Sequence, residues 1–268
     1  SEQSASQLAA SHVGTSAVVV GVPEQTIYSG DNGGARLAWR VEAHVGSLKQ
    51  WVVLVDAVNG AILTAYNQVM SVGTPGSGVD LFGVQRNLNV WNQGSSFFMV
   101  DTSKQMFDSS SMPPSASTTR GGIVILDAGN QPGNPQQEQI PGNDVSSASS
   151  SSAWLADAVS ASWGFSETYD YFLERHNRNG LDDRGSTILA TVRVGQNFNN
   201  AFFVPAAQAM YFGDAFPYAG ALDIVGHELS HGVVATTSNL IYENQSGALN
   251  ESFADVLGTA VQARTNGQ

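Results

Sequence analysis

The chain has no cysteine, so no disulfide framework holds it and its redox compartment cannot be read from thiols. Lys49 and Lys104 are its only lysines, and charged residues make up 13% of its 268 positions. With a net charge of −12, it is a poor match for nucleic acid or for an anionic membrane surface. No apolar run approaches the roughly twenty residues a membrane helix needs. No signal peptide is visible, and the first residue is Ser1, not Met, which implies a start that is missing or processed. What remains is a 42% hydrophobic chain whose surface relies on Ser, Asn, Gln and Gly, in keeping with a secreted protein. Its length allows one large domain or two small ones.

Period-two alternation marks a strand from Ala35 to Val45, with Leu37, Trp39, Val41, Ala43 and Val45 on one face. A second strand runs from Trp51 to Ala57. Asn59-Gly60 signals a hairpin, and Ala61 to Tyr66 returns. Residues 1–15 are small and polar and are expected to be disordered or peripheral. Ser71–Gly78 reads as a linker, and residues 131–152 read as a loop without chemistry. Between these two stretches lie short β-like runs at Asp80–Val90, Ser96–Val100 and Gly122–Leu126. Ala153 to Asn177 has helical periodicity, with Trp154, Val159, Trp163, Tyr169, Phe172 and Leu173 available for a core. Ile188–Val194 reads as a buried strand, and Asn200–Met210 as a sheet edge.

The densest chemistry is His227-Glu228-Leu229-Ser230-His231, with Glu251 twenty residues after His231. Histidines four apart on a helix share a face, so both rings can grip one metal ion. The motif alone is weak, since about one chain in a hundred of this length would carry it by chance. Its setting adds weight. Leu222, Val225, Leu229 and Val233 form an apolar stripe, so 221–238 is expected to be a helix packed on a core. A second helix is expected over 247–264, capped by Ser246, with Leu249, Phe253, Val256, Leu257, Ala260 and Val261 buried. Glu251 and Asp255 lie four apart on another face, and an ion between the two helices would offset their charge. Two histidines, a carboxylate and one open position make a catalytic zinc site, with Glu228 beside the ion as general base.

The runs Leu222–Gly232 and Leu240–Glu251, with Asn200-Ala201-Phe202-Phe203 and Gly213-Asp214, resemble the thermolysin-like neutral metalloproteases. The likeness is strong over about residues 197–262 and diffuse over 77–196. It implies an α+β fold. A propeptide-like, PepSY-like β-rich domain over residues 1–72 would precede the N-terminal lobe of the peptidase domain over 73–268. That lobe would hold a twisted antiparallel sheet and long helices carrying the zinc motif and the third-ligand Glu. It implies zinc on His227, His231 and Glu251, Glu228 as base, and Tyr242 as donor to the oxyanion. It also implies Asp255 and Asn250 behind His227 and His231, and substrate backbone pairing with Asn200 and Ala201. A calcium ligand is implied at Asp223, though Gln262 stands where the family has a second acid.

The expected function is a secreted zinc endopeptidase cutting before bulky apolar residues, with its own propeptide as intramolecular inhibitor. The resemblance implies a helical C-terminal lobe that closes the cleft and that this sequence is expected to lack, so the 268-residue chain is expected to bind zinc but hydrolyse peptides poorly. Two rivals are a non-catalytic zinc-binding or inhibitory module and a β-rich structural domain with an accidental motif. A metal assay separates the last, and a peptidase assay separates the first two.

Overall fold

A computed structural model describes residues 1–14, 17–29, 34–45, 49–67, 73–131 and 142–267. The chain divides into two compact units, Ser1–Ser71 and Val72–Gln268.

In the first unit, β1 (Val18–Ser29), β2 (Ala35–Val45), β3 (Lys49–Asp56) and β4 (Ile62–Asn67) form an antiparallel meander in chain order. The expected strands at 35–45 and 51–57 and the turn at Asn59-Gly60 are all present, and Gly60 takes φ 77°. Residues 1–15, expected to be disordered or peripheral, include helix α1 (Glu2–Val13), started by the Ser1 hydroxyl accepting from the Ser4 N–H at 3.3 Å. Ala5 and Ala9, one turn apart, are buried with Val41, Val53 and Val55. A face built mainly of alanine packs closely yet leaves a composition that reads as polar.

In the second unit, β5 (Gly73–Val79), β6 (Gln85–Gln93), β7 (Ser96–Phe98) and β11 (Ser146–Ser147) make a small sheet in the order β11-β7-β6-β5. The expected linker falls largely in β5, while Ser71 and Val72 lie outside the described residues. The glycines there serve close packing. A Cβ on Gly76 would sit 2.4 Å from the Ser150 carbonyl oxygen, and one on Gly78 would sit 2.6 Å from Val159 Cγ2. Pro75 is tolerated because β5 is an edge strand.

The larger sheet runs β10 (Asn143–Asp144), β9 (Ile123–Asp127), β12 (Ile188–Val194), β14 (Ala209–Gly213), β13 (Ala201–Val204), with β8 (Val100–Asp101) also on β9. It is mixed rather than wholly antiparallel, because β12 runs parallel to both β9 and β14. Helix α2 (Ala156–His176) covers it, burying Val159, Phe165, Tyr169 and Phe172 and ending on Asn177 at φ 50°. The strand β13 forms the sheet's edge beside helix α3 (Leu222–Thr236).

Helix α3 buries Leu222, Val225, Leu229 and Val233, as its stripe implies. Helix α4 (Asn244–Thr265) departs from expectation. It begins before Ser246, whose hydroxyl donates to the Ile241 carbonyl. Its buried face is Gly247, Asn250, Ala254, Gly258 and Val261, whereas Leu249, Phe253 and Val256 point outward and are 46%, 45% and 63% exposed. The small face lets the helices cross backbone to backbone. A Cβ on Gly258 would lie 2.3 Å from the Asp223 carbonyl oxygen and 2.9 Å from the His227 nitrogen, and one on Gly226 would lie 3.0 Å from Gly258 Cα.

Gly258→Ala is therefore expected to destabilise the fold by about 1–3 kcal/mol, because backbone atoms cannot swing aside as a side chain can. The roughly 1 kcal/mol that alanine gains over glycine in helix propensity offsets only part of this. Chemical denaturation of both proteins measures the difference, and a variant as stable as the parent would show that the crossing is slack.

Candidate active site

Just above that crossing, α3 presents His227 and His231 one turn apart toward α4. The two Nε2 atoms are 3.0 Å apart and the rings stand nearly perpendicular, at 87°. Each Nδ1 faces away, to an acceptor on α4: His227 Nδ1 to Asp255 Oδ1 at 2.9 Å, and His231 Nδ1 to Asn250 Oδ1 at 2.8 Å. A carboxylate oxygen or an amide carbonyl can only accept, so the hydrogen of each neutral ring is on Nδ1. Both Nε2 lone pairs then point into the same small space. Glu251 adds its oxygens, with Oε2 3.3 Å from His227 Nε2 and Oε1 3.6 Å from His231 Nε2.

Three acceptors directed at one point repel one another unless a cation lies between them. Ligand atoms of His227, His231 and Glu251 fall within 4.8 Å of each other, and no other such group of three occurs among the described residues. Asp223, the expected calcium ligand, lines the same cleft but belongs to no such group. Arg264 does not neutralise Glu251. It pairs across to Glu167 at 2.9 Å and to Glu174 at 2.7 Å on α2. The donor set fits zinc: neutral imidazole nitrogens, one carboxylate and outer hydrogen bonds that orient the rings.

Glu228 lies on the same turn but faces the sheet and is 4% exposed. The Phe203 backbone N–H of β13 bonds its carboxylate, and its Oε2 is buried with no hydrogen-bond partner. Burial, then the neighbouring Glu251 charge, push this carboxyl up to about 8. Burial likewise holds His231 below the ordinary imidazole range. The Tyr242 hydroxyl donates to Glu251 Oε1, and that bond, with burial second, raises the phenol to about 12.

A cleft of about 830 Å³ opens here, lined by Asn200, Ala201, Phe203, Ile224, Leu240 and Tyr242 among others. Ala201 begins the edge strand and Asn200 precedes it, its carbonyl accepting from the Gly213 N–H at 2.8 Å. The nine residues expected to bind zinc, support its ligands, act in catalysis or hold substrate thus all line this cleft, with Asp223 beside them. Sequence reasoning missed what holds the strand. Asp214 accepts from the Phe198 N–H at 2.7 Å and from Asn130 Nδ2 at 2.8 Å, and the Tyr218 hydroxyl bonds Asn199. It also missed the Phe203 N–H, because a backbone donor leaves no trace in residue identity.

The raised Glu228 value sets a pH dependence for the metal-free protein. A carboxyl whose folded value lies above its ordinary 4.5 contributes fully below pH 4.5, and that contribution is lost as pH rises through about 8. Melting temperature is expected to fall across that window, and Glu228→Gln is expected to flatten the fall. An unchanged slope in the variant would mean that the carboxyl is solvated.

Two family models match the chain: the thermolysin metallopeptidase catalytic domain over residues 75–235, and the thermolysin metallopeptidase α-helical domain over residues 238–268. Bacillolysin of Bacillus subtilis (strain 168) is 38% identical over 215 residues, covering 78% of this chain and 37% of that protein. Thermolysin of Alicyclobacillus acidocaldarius subsp. acidocaldarius is 30% identical over 258 residues, covering 92% and 45%. The solved precursor of protealysin, a metalloproteinase from Serratia proteamaculans, aligns with a TM-score of 0.48 at 33% identity, over 59% of this chain and 49% of that one. The chain spans less than half the length of these curated relatives. With more than half of its residues matched by the catalytic-domain model and the His227, His231 and Glu251 donors converging on one point, the chain belongs to the thermolysin metallopeptidase family.

Proposed function

We propose that this chain is part of a secreted zinc metalloendopeptidase. The observation that carries the reading is the pair of Nε2 acceptors 3.0 Å apart, facing a carboxylate, beside a buried and unpartnered Glu228 oxygen. His227, His231 and Glu251 would hold the ion, with Asp255 and Asn250 fixing ring tautomer and direction. Zinc, when bound, supplies Lewis acidity and lowers the pKa of a water toward about 7.

The protein's own groups do the rest. Glu228, held by the Phe203 N–H and otherwise free, takes the water's proton and passes it to the leaving amine. The outer edge of β13, with Asn200 and Ala201 at its start, pairs with an extended peptide backbone by strand addition. Tyr242, a residue 66% exposed at the cleft, donates its hydroxyl to the oxyanion. Ile224 and Leu240 in the lining favour a bulky apolar side chain after the scissile bond. Residues 1–72 are read as the end of a propeptide that inhibits the site, and residues 73–268 as peptidase domain. Among the described residues no helix is long and apolar enough to cross a membrane.

Elemental analysis of purified protein is expected to give one zinc per chain, and a His227→Ala, His231→Ala double variant to give none. Equal zinc in the two would remove the assignment. In the full-length gene product, Glu228→Gln is expected to keep its zinc and to lose about 10²–10⁴ in turnover of a quenched fluorescent peptide, because an amide cannot accept the proton. Undiminished turnover would place the base elsewhere.

A further inference from the structure

Glu251 is a half-buried carboxylate whose only basic neighbours among the described residues are the two imidazoles. Its side chain is 40% exposed, Arg264 is engaged on α2, and no lysine or arginine pairs with it among the described residues. A glutamate in that position has several solvent-facing rotamers of similar energy. In this protein it takes one, with Oε2 toward His227, while the Tyr242 hydroxyl donates to Oε1.

Tyr242 is itself held. Its ring stands edge-on to His231, with centroids 6.0 Å apart at 82°. The start of α4 packs on its backbone, where a Cβ on Gly247 would lie 3.2 Å from the Tyr242 carbonyl carbon. The ring therefore contacts the histidine, and its backbone lies against the start of the helix that carries Glu251.

We propose that Tyr242 is a positioning residue for the metal site: by holding Glu251 Oε1 it aims Oε2 at the space between the two imidazoles before any ion enters. This rests on the zinc reading and adds to it a role separate from donation to a reacting carbonyl. A ligand already ordered has less rotamer freedom to lose on binding, so the hydroxyl strengthens metal affinity from one bond away. Because a phenol has a single hydrogen, the Glu251 bond and a bond to a substrate oxygen exclude each other.

The test is zinc affinity of the full chain, measured by chelator competition, in wild type, Tyr242→Phe, Glu251→Ala and the double variant. Phenylalanine keeps the ring against His231 and removes only the hydroxyl. Tyr242→Phe is expected to weaken zinc binding by about tenfold, with the melting temperature of the metal-free protein unchanged. In the Glu251→Ala background the same change is expected to have no effect, which a general structural role would not produce. A wild type that binds zinc with a Tyr242→Phe variant of equal or tighter affinity overturns this inference alone. Equal losses in both backgrounds overturn it too. A wild type that binds no zinc overturns the zinc reading and this inference together.

Discussion

The site depends on a single steric constraint, the contact of α3 with α4 at Gly226 and Gly258. With no side chain on either helix at that point, the two backbones meet directly. Distances along a helix then set everything above the contact. Rising about 1.5 Å per residue, Asp255 and Asn250 come level with the two histidines and Glu251 reaches between them. A methyl group on Gly258 would sit 2.3 Å from the Asp223 carbonyl oxygen, so the helices would have to move apart there and the ligands with them. The glycines, which contribute least to helix propensity, are therefore what give the ligands their spacing.

The electrostatics follow from that spacing. Outer partners on α4 put both imidazole hydrogens on Nδ1, leaving three acceptors turned inward. Burial under the sheet edge then deprives Glu228 of solvent, so its neighbour's negative charge is felt strongly and its carboxyl rises to about 8. An incoming cation relieves both unfavourable features. The strained electrostatics of the metal-free cage and the affinity proposed for the ion have the same cause.

Much of this was legible in the sequence. The α3 stripe, the strand at Ile188–Val194, the α2 core and the spacing from His231 to Glu251 are local patterns, and local patterns survive in one dimension. The failures share a physical origin. Hydrophobic periodicity on α4 selected Leu249, Phe253 and Val256, yet the buried face is the small one, because close backbone approach rewards the absence of side chains. The glycines of β5 read as a linker for the same reason, and the alanines of α1 as a polar tail. The parallel pairing of β12 was not readable, since alternation shows which residues face inward but not the direction of the neighbouring strand. In the site, Glu228 was found from its motif. The Phe203 N–H that holds it and the Asp214 bonds that hold the edge strand are tertiary contacts without a residue signature.

The most direct test of the central claim is X-ray absorption spectroscopy at the zinc edge on the protein loaded with one equivalent of metal. Two imidazole nitrogens and a carboxylate oxygen are expected in the first shell at about 2.0–2.2 Å, with the outer-ring scattering typical of two histidines. A shell containing oxygen alone, or a single imidazole, would contradict the account.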